Sequence, residues 1–506
     1  MQEVSKAGAG FEGLVPRADR ETLPANIPPE VWETMPEGAR EAHRARLAEI
    51  HRRNATTEGK RYAWLLRLDM ANQVVDEPMI WFPYFCDFRG RIYSAVTDLS
   101  PQGNDASKAL LRFAHGKPLG KLGLHWLCVR AANCYAQDGL DKLDPYDRAR
   151  WAEANMDRIH EAADNPIDGT RWWTEAEDPW SFLATCFEIS AAMRSDDDFI
   201  SHLPIPLDGS CNGLQHLAAL GRDPVGAVAT NVISERGARR DIYTEVARMV
   251  NRMVTEDAGK GNELAQQWLG KVNRKVVKRA VMTTPYGVTD RGIGRQLLEE
   301  GFTEGMGEES AAAANYLKDL IVKAIDETVI SAKQIMAWLQ AAAEALAKHD
   351  IPFSWKTPTG NTVEQAYWDL VEHRVESLVG QTTLYREASS SGLRRRKQCL
   401  SAAPNVVHSF DASHLCRVVN ACTKVGLLDF AVVHDSFGVH AADTAQLGDM
   451  LRDEFAKMYE TNWLQEIENY VREYAPQAQI PPWTEYVTLG DLQLFPAVMQ
   501  SRYAFA

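Results

Sequence analysis

An α+β fold, dominated by helices and carrying a small antiparallel sheet, is what this sequence predicts. Long stretches with helical periodicity occupy residues 236–256 and 308–348, the second rich in alanine and suited to close packing. Against them stand only short apolar runs bounded by turn residues, at Met79–Tyr93, Pro204–Leu207 and Gly426–Ala441, far apart in the chain.

Along the chain, residues 1–40 are rich in Pro, Gly and acids, and Pro24, Pro28, Pro29 and Pro36 interrupt any helix there. Arg40–Ala71 turns helical and charged. The aromatic stretch MIWFPYFCDFRGRIY, ending at Tyr93, reads as strand and turn. Residues 105–200 are mostly helical, including Trp172–Met193. Pro204–Leu207 is a strand that ends in Asp208-Gly209, and Asn212–Leu220 fits a helix. Residues 351–363 carry hairpin signals around Pro358-Thr359-Gly360. ASSSGLRRRK, Ala388–Lys397, reads as an exposed loop. Gly426–Ala441 is two apolar runs about a polar centre, His434-Asp435-Ser436.

At 506 residues several subdomains are expected. No apolar run is long enough to span a bilayer, so no membrane partner is expected. The start, MQEVSKAGAG, has neither the charged-then-apolar pattern of a signal peptide nor the Arg-rich character of a transit peptide. Eight cysteines without a CxxC pair argue against a zinc module and for a reducing compartment, with the cytoplasm as the default. A formal net charge of −14 opposes non-specific attraction to a phosphate backbone. Exposed charges are screened beyond ~10 Å at moderate salt, so basic clusters at 271–279 and Arg394–Lys397 can still act locally.

The segment RKVVKRAVMTTPYG, Arg274–Gly287, carries the strongest chemical signal. Arg274 and Lys278 are four apart, on one helical face, and Lys271, Lys275 and Arg279 add charge with no acid among them. A Lys/Arg run is most often a solvated face, and Val272, Val276, Val277, Ala280 and Val281 supply a buried stripe for such a helix. The alternative is that an anion sits against the cations. Pro285 should end or bend the helix just before Tyr286. Asp208 at a strand end and Asp435 at a hairpin turn are each, alone, ordinary turn residues. On neighbouring strands, two such carboxylates could hold two Mg²⁺ ions for phosphoryl transfer.

Read in order, the motifs DFRGR (Asp87–Arg91), Asp208-Gly209-Ser210, Arg274…Lys278…Tyr286-Gly287 and His434-Asp435-Ser436 resemble those of the single-subunit RNA polymerases of bacteriophages and mitochondria. SPQGND, PLDGSCNGLQH, APNVVHSFDASHL, VVHDSFG and the terminal YAFA fit as well, and the resemblance runs from about Glu30 to Ala506. It implies a right-hand polymerase fold of palm, fingers and partial thumb, with a small antiparallel palm sheet. The expected divisions are 1–77, N-terminal extension and partial thumb; 78–236, first palm part with Asp208; 237–407, fingers; and 408–506, second palm part with Asp435 and a C-terminal foot. The implied activity is DNA-templated RNA synthesis by a two-metal mechanism, with DNA template, RNA transcript and NTPs as partners.

Carried over by that resemblance, Asp208 and Asp435 correspond to metal-binding aspartates, with the Gly209 carbonyl as a further ligand. Arg274 and Lys278 match positions that grip the triphosphate. Tyr286 matches a residue sensing the ribose, His408 one near the 2′-hydroxyl, and His434 one orienting the primer end. Arg91 resembles a residue near the nucleotide and hybrid, while Tyr243 and Lys142 match less closely. The related DNA polymerases are the near competitor. Three positions argue against them: the run after Asp208 holds no glutamate, Met282 stands where an aromatic is usual, and Ser436 follows Asp435.

The resemblance lacks the family's promoter-binding N-terminal domain, so a catalytic core is expected, one that extends primed RNA but initiates poorly alone. A separate N-terminal promoter-binding chain is a conceivable partner, and a partner-dependent subunit inactive by itself is the second alternative. Val363–Arg386 sits where the family's promoter-reading loop lies. There Arg374 aligns with a reading position, whereas Glu376, Thr383 and Tyr385 differ. Phe505-Ala506 matches a terminus that reaches towards the active site.

Overall fold

Many helices and a few short antiparallel pairings make up the chain, as its sequence pattern predicts. The computed structural model describes residues 1–7, 11, 13–16, 19–195, 199–234, 239–377, 380–388 and 391–505. Contacts divide it into two units. One comprises Met1–Tyr84, Ser94–Ile205 and His440–Ala442; the other comprises Phe85–Tyr93, Pro206–Val439 and Asp443–Ala506.

The first unit is built on helices Gly120–Tyr135, Pro145–Ala154, Met156–Asp164 and Pro179–Arg194. They close over an aromatic core in which Trp172, Trp173 and Phe182 are fully buried. Helix Glu37–Val74 follows Pro36 and buries only Ile50, Trp64 and Arg67. Arg67 is buried because its Nε donates to the Asp98 carbonyl at 2.9 Å and to Ser107 Oγ at 2.6 Å, so its charge is not left unsolvated.

The second unit holds every residue of the predicted site except Lys142. Strands β1 (Tyr84–Cys86) and β2 (Ile92–Ser94) form a hairpin whose turn is Asp87–Arg91. β3 (Pro204–Asp208) leads into α1 (Asn212–Leu220), buried along its whole length. Next come α2 (Ile242–Gly259) and α3 (Arg274–Thr283). A second hairpin, β4 (Leu370–Ser377) and β5 (Gly380–Glu387), precedes the 30-residue α4 (Arg395–Lys424). β6 (Ala431–Val433) and β7 (Ser436–His440) pair antiparallel with Val433 opposite Ser436, and β7 lies between β6 and β3 in a three-stranded sheet.

Several boundaries differ from expectation. The tract 308–348 is two helices, Ser310–Thr328 and Ile330–Ala347, parted at Val329 (φ −125°, ψ 51°) within a β-branched run that tolerates helix poorly. Trp172–Met193 splits into a 3₁₀ turn and a helix that starts at Pro179, where proline at the first position favours initiation. Pro29 likewise starts a short helix, Pro29–Thr34. The loop expected over Ala388–Lys397 ends early, because Arg395–Lys397 is the first turn of α4; Ser389 and Ser390 lie outside the described residues.

Candidate active site

Asp208 ends β3 exposed, and Asp435 sits at the two-residue tip between β6 and β7. That tip puts His434 in the left-handed region at φ 54°, a conformation a non-glycine residue rarely holds and one common at functional turns. The Asp435 carboxyl is pushed up to about 7, first by burial and then by the negative charges of Asp411 and Asp208. Asp411 and Asp208 thus crowd negative charge at Asp435, and Arg91, which is paired to Asp411, offsets only part of it, leaving room for a further counter-charge. A hard cation would supply it, and the donors are all oxygen, as Mg²⁺ requires. Among the described residues no group of three or more His, Cys, Asp or Glu is placed to hold a metal ion. An ion held by Asp208 and Asp435 alone would have most of its places left for water and substrate oxygens.

Behind Asp208 the loop is pinned by the chain terminus. Gly209 bridges to Phe505, Ser210 Oγ donates to the Tyr503 carbonyl at 2.8 Å, and Gln215 Nε2 donates to the Ala504 carbonyl at 2.9 Å. Phe505 thus lies against the loop that follows Asp208, and Ala506 lies outside the described residues.

Asn273 caps α3, its side chain accepting from the amides of Lys275 and Val276. Val276, Val277, Ala280 and Val281 are buried, as the stripe predicts. The charged face is less frustrated than its sequence suggests. Arg274 Nε donates to Asp241 Oδ2 at 2.8 Å, its guanidinium lies 5.0 Å from the Tyr243 ring centroid, and Arg279 pairs with Glu300 at 3.0 Å. Lys271, Lys275 and Lys278 are exposed and have no ion pair among the described residues. Two of the five cations are thus already paired, and the three lysines are left to solvent or to an anion.

α3 ends at Thr283, and a 3₁₀ turn over Thr284–Tyr286 brings the chain to Gly287 at φ 74°. Thr284 keeps helical angles despite the following proline, helped by its Oγ1 donating to the Ala280 carbonyl at 2.9 Å. The turn aims the Tyr286 ring at His408, centroids 4.7 Å apart. A Cβ on Gly213 of α1 would stand 3.0 Å from the Tyr286 hydroxyl, so the phenol rests directly on that helix. Burial is the main reason that Tyr286 is held protonated.

Arg89 Nη1 lies 2.6 Å from His408 Nδ1. A guanidinium only donates, so Nδ1 accepts and the imidazole carries its proton on Nε2. Burial, then the charges of Arg91 and Arg89, push His408 down to about 2. Arg89 is itself held by Asp87 Oδ2, 2.9 Å from Nε, and Asp87 Oδ1 accepts the amides of Arg89 and Arg91. Arg91 Nε donates to Asp411 Oδ2 at 2.8 Å; the Asp411 side chain is 2 % exposed. The His434 ring meets Tyr93 edge-on at 5.0 Å, and burial lowers its pKa.

All predicted residues but Lys142 fall in this unit. Lys142 belongs to the first unit and pairs with its neighbour Asp141. Asp87, Arg89, Asp241 and Asp411 hold the site residues in place, and sequence reasoning gave them no such role. The three-residue spacing of His408 and Asp411 on one helix was the available signal for Asp411. Within Val363–Arg386, Val363 is buried in a separate strand, Thr362–Gln365, so the hairpin begins only at β4. On it Arg374 faces Thr383 and Glu372 faces Tyr385 across the strands, which places Arg374, Glu376, Thr383 and Tyr385 on one side.

A family model described as DNA-dependent RNA polymerase matches residues 117–488. The chain is 37% identical over 510 residues to "DNA-directed RNA polymerase 1, mitochondrial" of Arabidopsis thaliana, covering 98% of this chain and 51% of that protein. It is 36% identical over 518 residues to "DNA-directed RNA polymerase 2B, chloroplastic/mitochondrial" of Nicotiana tabacum, covering 100% and 49%. With "DNA-directed RNA polymerase 3, chloroplastic" of Nicotiana sylvestris it shares 35% over 522 residues, covering 100% and 51%. The chain spans about half the length of the curated relatives it matches. Paired aspartates, a capped basic helix and a matched sequence over most of the chain lead to one conclusion: it belongs to the family of single-subunit DNA-dependent RNA polymerases.

Proposed function

We propose that this chain extends RNA on a DNA template, adding nucleotides from NTPs to the transcript's 3′ end. The observation that carries this reading is that Asp208 ends β3 and Asp435 stands at the tip leading into the neighbouring strand β7, in the same unit as the Tyr286–His408 pair. Asp208, Asp435 and the Gly209 carbonyl are the groups to hold two Mg²⁺, which when bound lower the pKa of the attacking 3′-hydroxyl and stabilise the leaving oxygen. Lys278, unpaired, and Arg274, clamped, bind the triphosphate and offset charge that grows on it during transfer. His408, neutral with its proton on Nε2, donates to an oxygen and suits the ribose 2′-hydroxyl; Tyr286 backs its ring. His434 orients the primer terminus from its strained turn. Arg91, fixed by Asp411, faces the nucleotide and hybrid.

The DNA polymerase alternative is disfavoured by the run after Asp208, where Gly-Ser-Cys-Asn-Gly leaves no carboxylate to exclude a 2′-hydroxyl. The fingers and palm divisions, DNA contact by the β4–β5 hairpin and any separate promoter-binding chain belong to this reading too. Eight free cysteines fit a reducing compartment such as a cytoplasm, and no described helix is long and apolar enough to cross a membrane.

The test is extension of an RNA primer on a DNA template, with NTPs and dNTPs compared. NTP-dependent extension that Asp208→Ala and Asp435→Ala each abolish, without loss of fold by circular dichroism, is the expected outcome. Preference for dNTPs would move the chain to DNA synthesis. Extension by either variant would remove the metal assignment, and silence of the wild-type chain would favour a partner-dependent subunit.

A further inference from the structure

Asp241 stands at the N-cap of α2, where an aspartate ordinarily accepts a backbone amide of the first turn and stabilises the helix. Here its side chain makes no cap bond. Oδ2 instead accepts from Arg274 Nε at 2.8 Å and from Thr244 Oγ1 at 2.5 Å. Two residues on, the Tyr243 ring supports the face of the same guanidinium. Arg274 is thereby held at Nε and on one face, and its two Nη groups have no partner among the described residues. Both side chains of the pair are about one-third exposed (31 % and 27 %), so the pair adds little to stability, and that is no reason to forgo a helix cap.

We propose that Asp241 is a positioning residue that presets Arg274 as a rigid two-pronged donor for a triphosphate, a proposal that rests on the role given to Arg274 above. Planar donors bind phosphate oxygens best when they need no reorganisation, and Asp241 removes the torsional freedom that Lys278, one turn further on, retains. The same helix end reaches the metal loop. The Tyr243 hydroxyl and the Cys211 thiol interact, and the Cys211 amide donates to the Gly209 carbonyl at 3.0 Å. The triphosphate fork and the Asp208 loop are therefore referenced to one element, α2.

Asp241→Asn keeps the shape and weakens the charge-assisted bond, and should raise the KM for NTP roughly tenfold while kcat changes less than the KM does. Affinity for tripolyphosphate, titrated directly without turnover, should fall by a similar factor, and the melting temperature should stay at the wild-type value. In an Arg274→Ala background the same change should add nothing to either loss. Unchanged tripolyphosphate affinity in Asp241→Asn would overturn the proposal, as would a lowered melting temperature or an undiminished effect in the Arg274→Ala background. Tripolyphosphate binding is read even if the wild-type chain extends no primer, so failure of the polymerase reading and failure of this proposal are told apart.

Discussion

His408 and His414 are both kept neutral by burial, His408 at about 2 and His414 at about 4. His408 needs that neutrality, because its Nδ1 accepts from Arg89 and a second proton would remove the acceptor. In the unfolded chain each histidine takes up a proton near its ordinary 6.5. Between that value and the folded pKa the unfolded state therefore binds more protons than the native one, and stability falls as pH falls. For His414, 2 % exposed, the loss between pH 6.5 and 5 amounts to about 2 kcal/mol. Urea unfolding at pH 7.5 and 5.0 should show the second unit weakened at the lower pH. His414→Gln, which can still donate to the Leu451 carbonyl, should shrink that difference. An unchanged difference would mean that His414 does not set the acid sensitivity.

At the scale of elements, the decisive contact is α1 against the turn that ends α3. Gly213 has no backbone need to be glycine; its role is clearance, since a Cβ would meet Pro285 at 3.0 Å and the Tyr286 ring at 3.1 Å. Both neighbours are stiff and buried or half-buried, so the turn must shift. Gly213→Ala should cost about 1–3 kcal/mol by overpacking, and should displace the phenol from His408. The functional sign is a lowered preference for NTPs over dNTPs, with Lys278-dependent triphosphate affinity retained. Preserved sugar selectivity in a destabilised variant would separate packing from ribose sensing. The sequence made these elements legible wherever local chemistry decides them: α1 has the predicted bounds, and the strand ending at Asp208 and the turn at Asp435 are where apolar runs stop. It hid the contacts that join distant segments. Arg91 and Asp411 are 320 residues apart and Arg89 and His408 are 319 apart, and no periodicity or spacing marks such pairs. It also hid the break at Val329 and the early start of α4, where local preferences conflict and tertiary packing chooses.

For the whole molecule the tension is between a net charge of −14 and the polyanionic template proposed above. The fold answers it locally: Arg274 and Arg279 are neutralised by acids, while Lys271, Lys275 and Lys278 on the same helix stay exposed and unpaired among the described residues. Repulsion is thus a long-range property of the chain, and attraction a short-range property of a few cations. Salt acts on the two differently. At ~10 mM the screening length is ~30 Å, and the whole negative charge is felt by an approaching duplex; at ~100 mM it is ~10 Å, and only nearby groups count. Further salt then weakens cation–phosphate contacts by counterion competition, with a slope of roughly −0.9 per phosphate neutralised on duplex DNA. Affinity for a labelled primed template, followed by fluorescence anisotropy, should therefore rise from ~10 mM salt, pass through a maximum, and decline beyond ~100 mM. Lys271→Ala combined with Lys275→Ala should lower the maximum and flatten the decline, since fewer counterions are released on binding. A monotonic fall from the lowest salt would show that the cations near the site, rather than the acidic surface, govern approach at every distance.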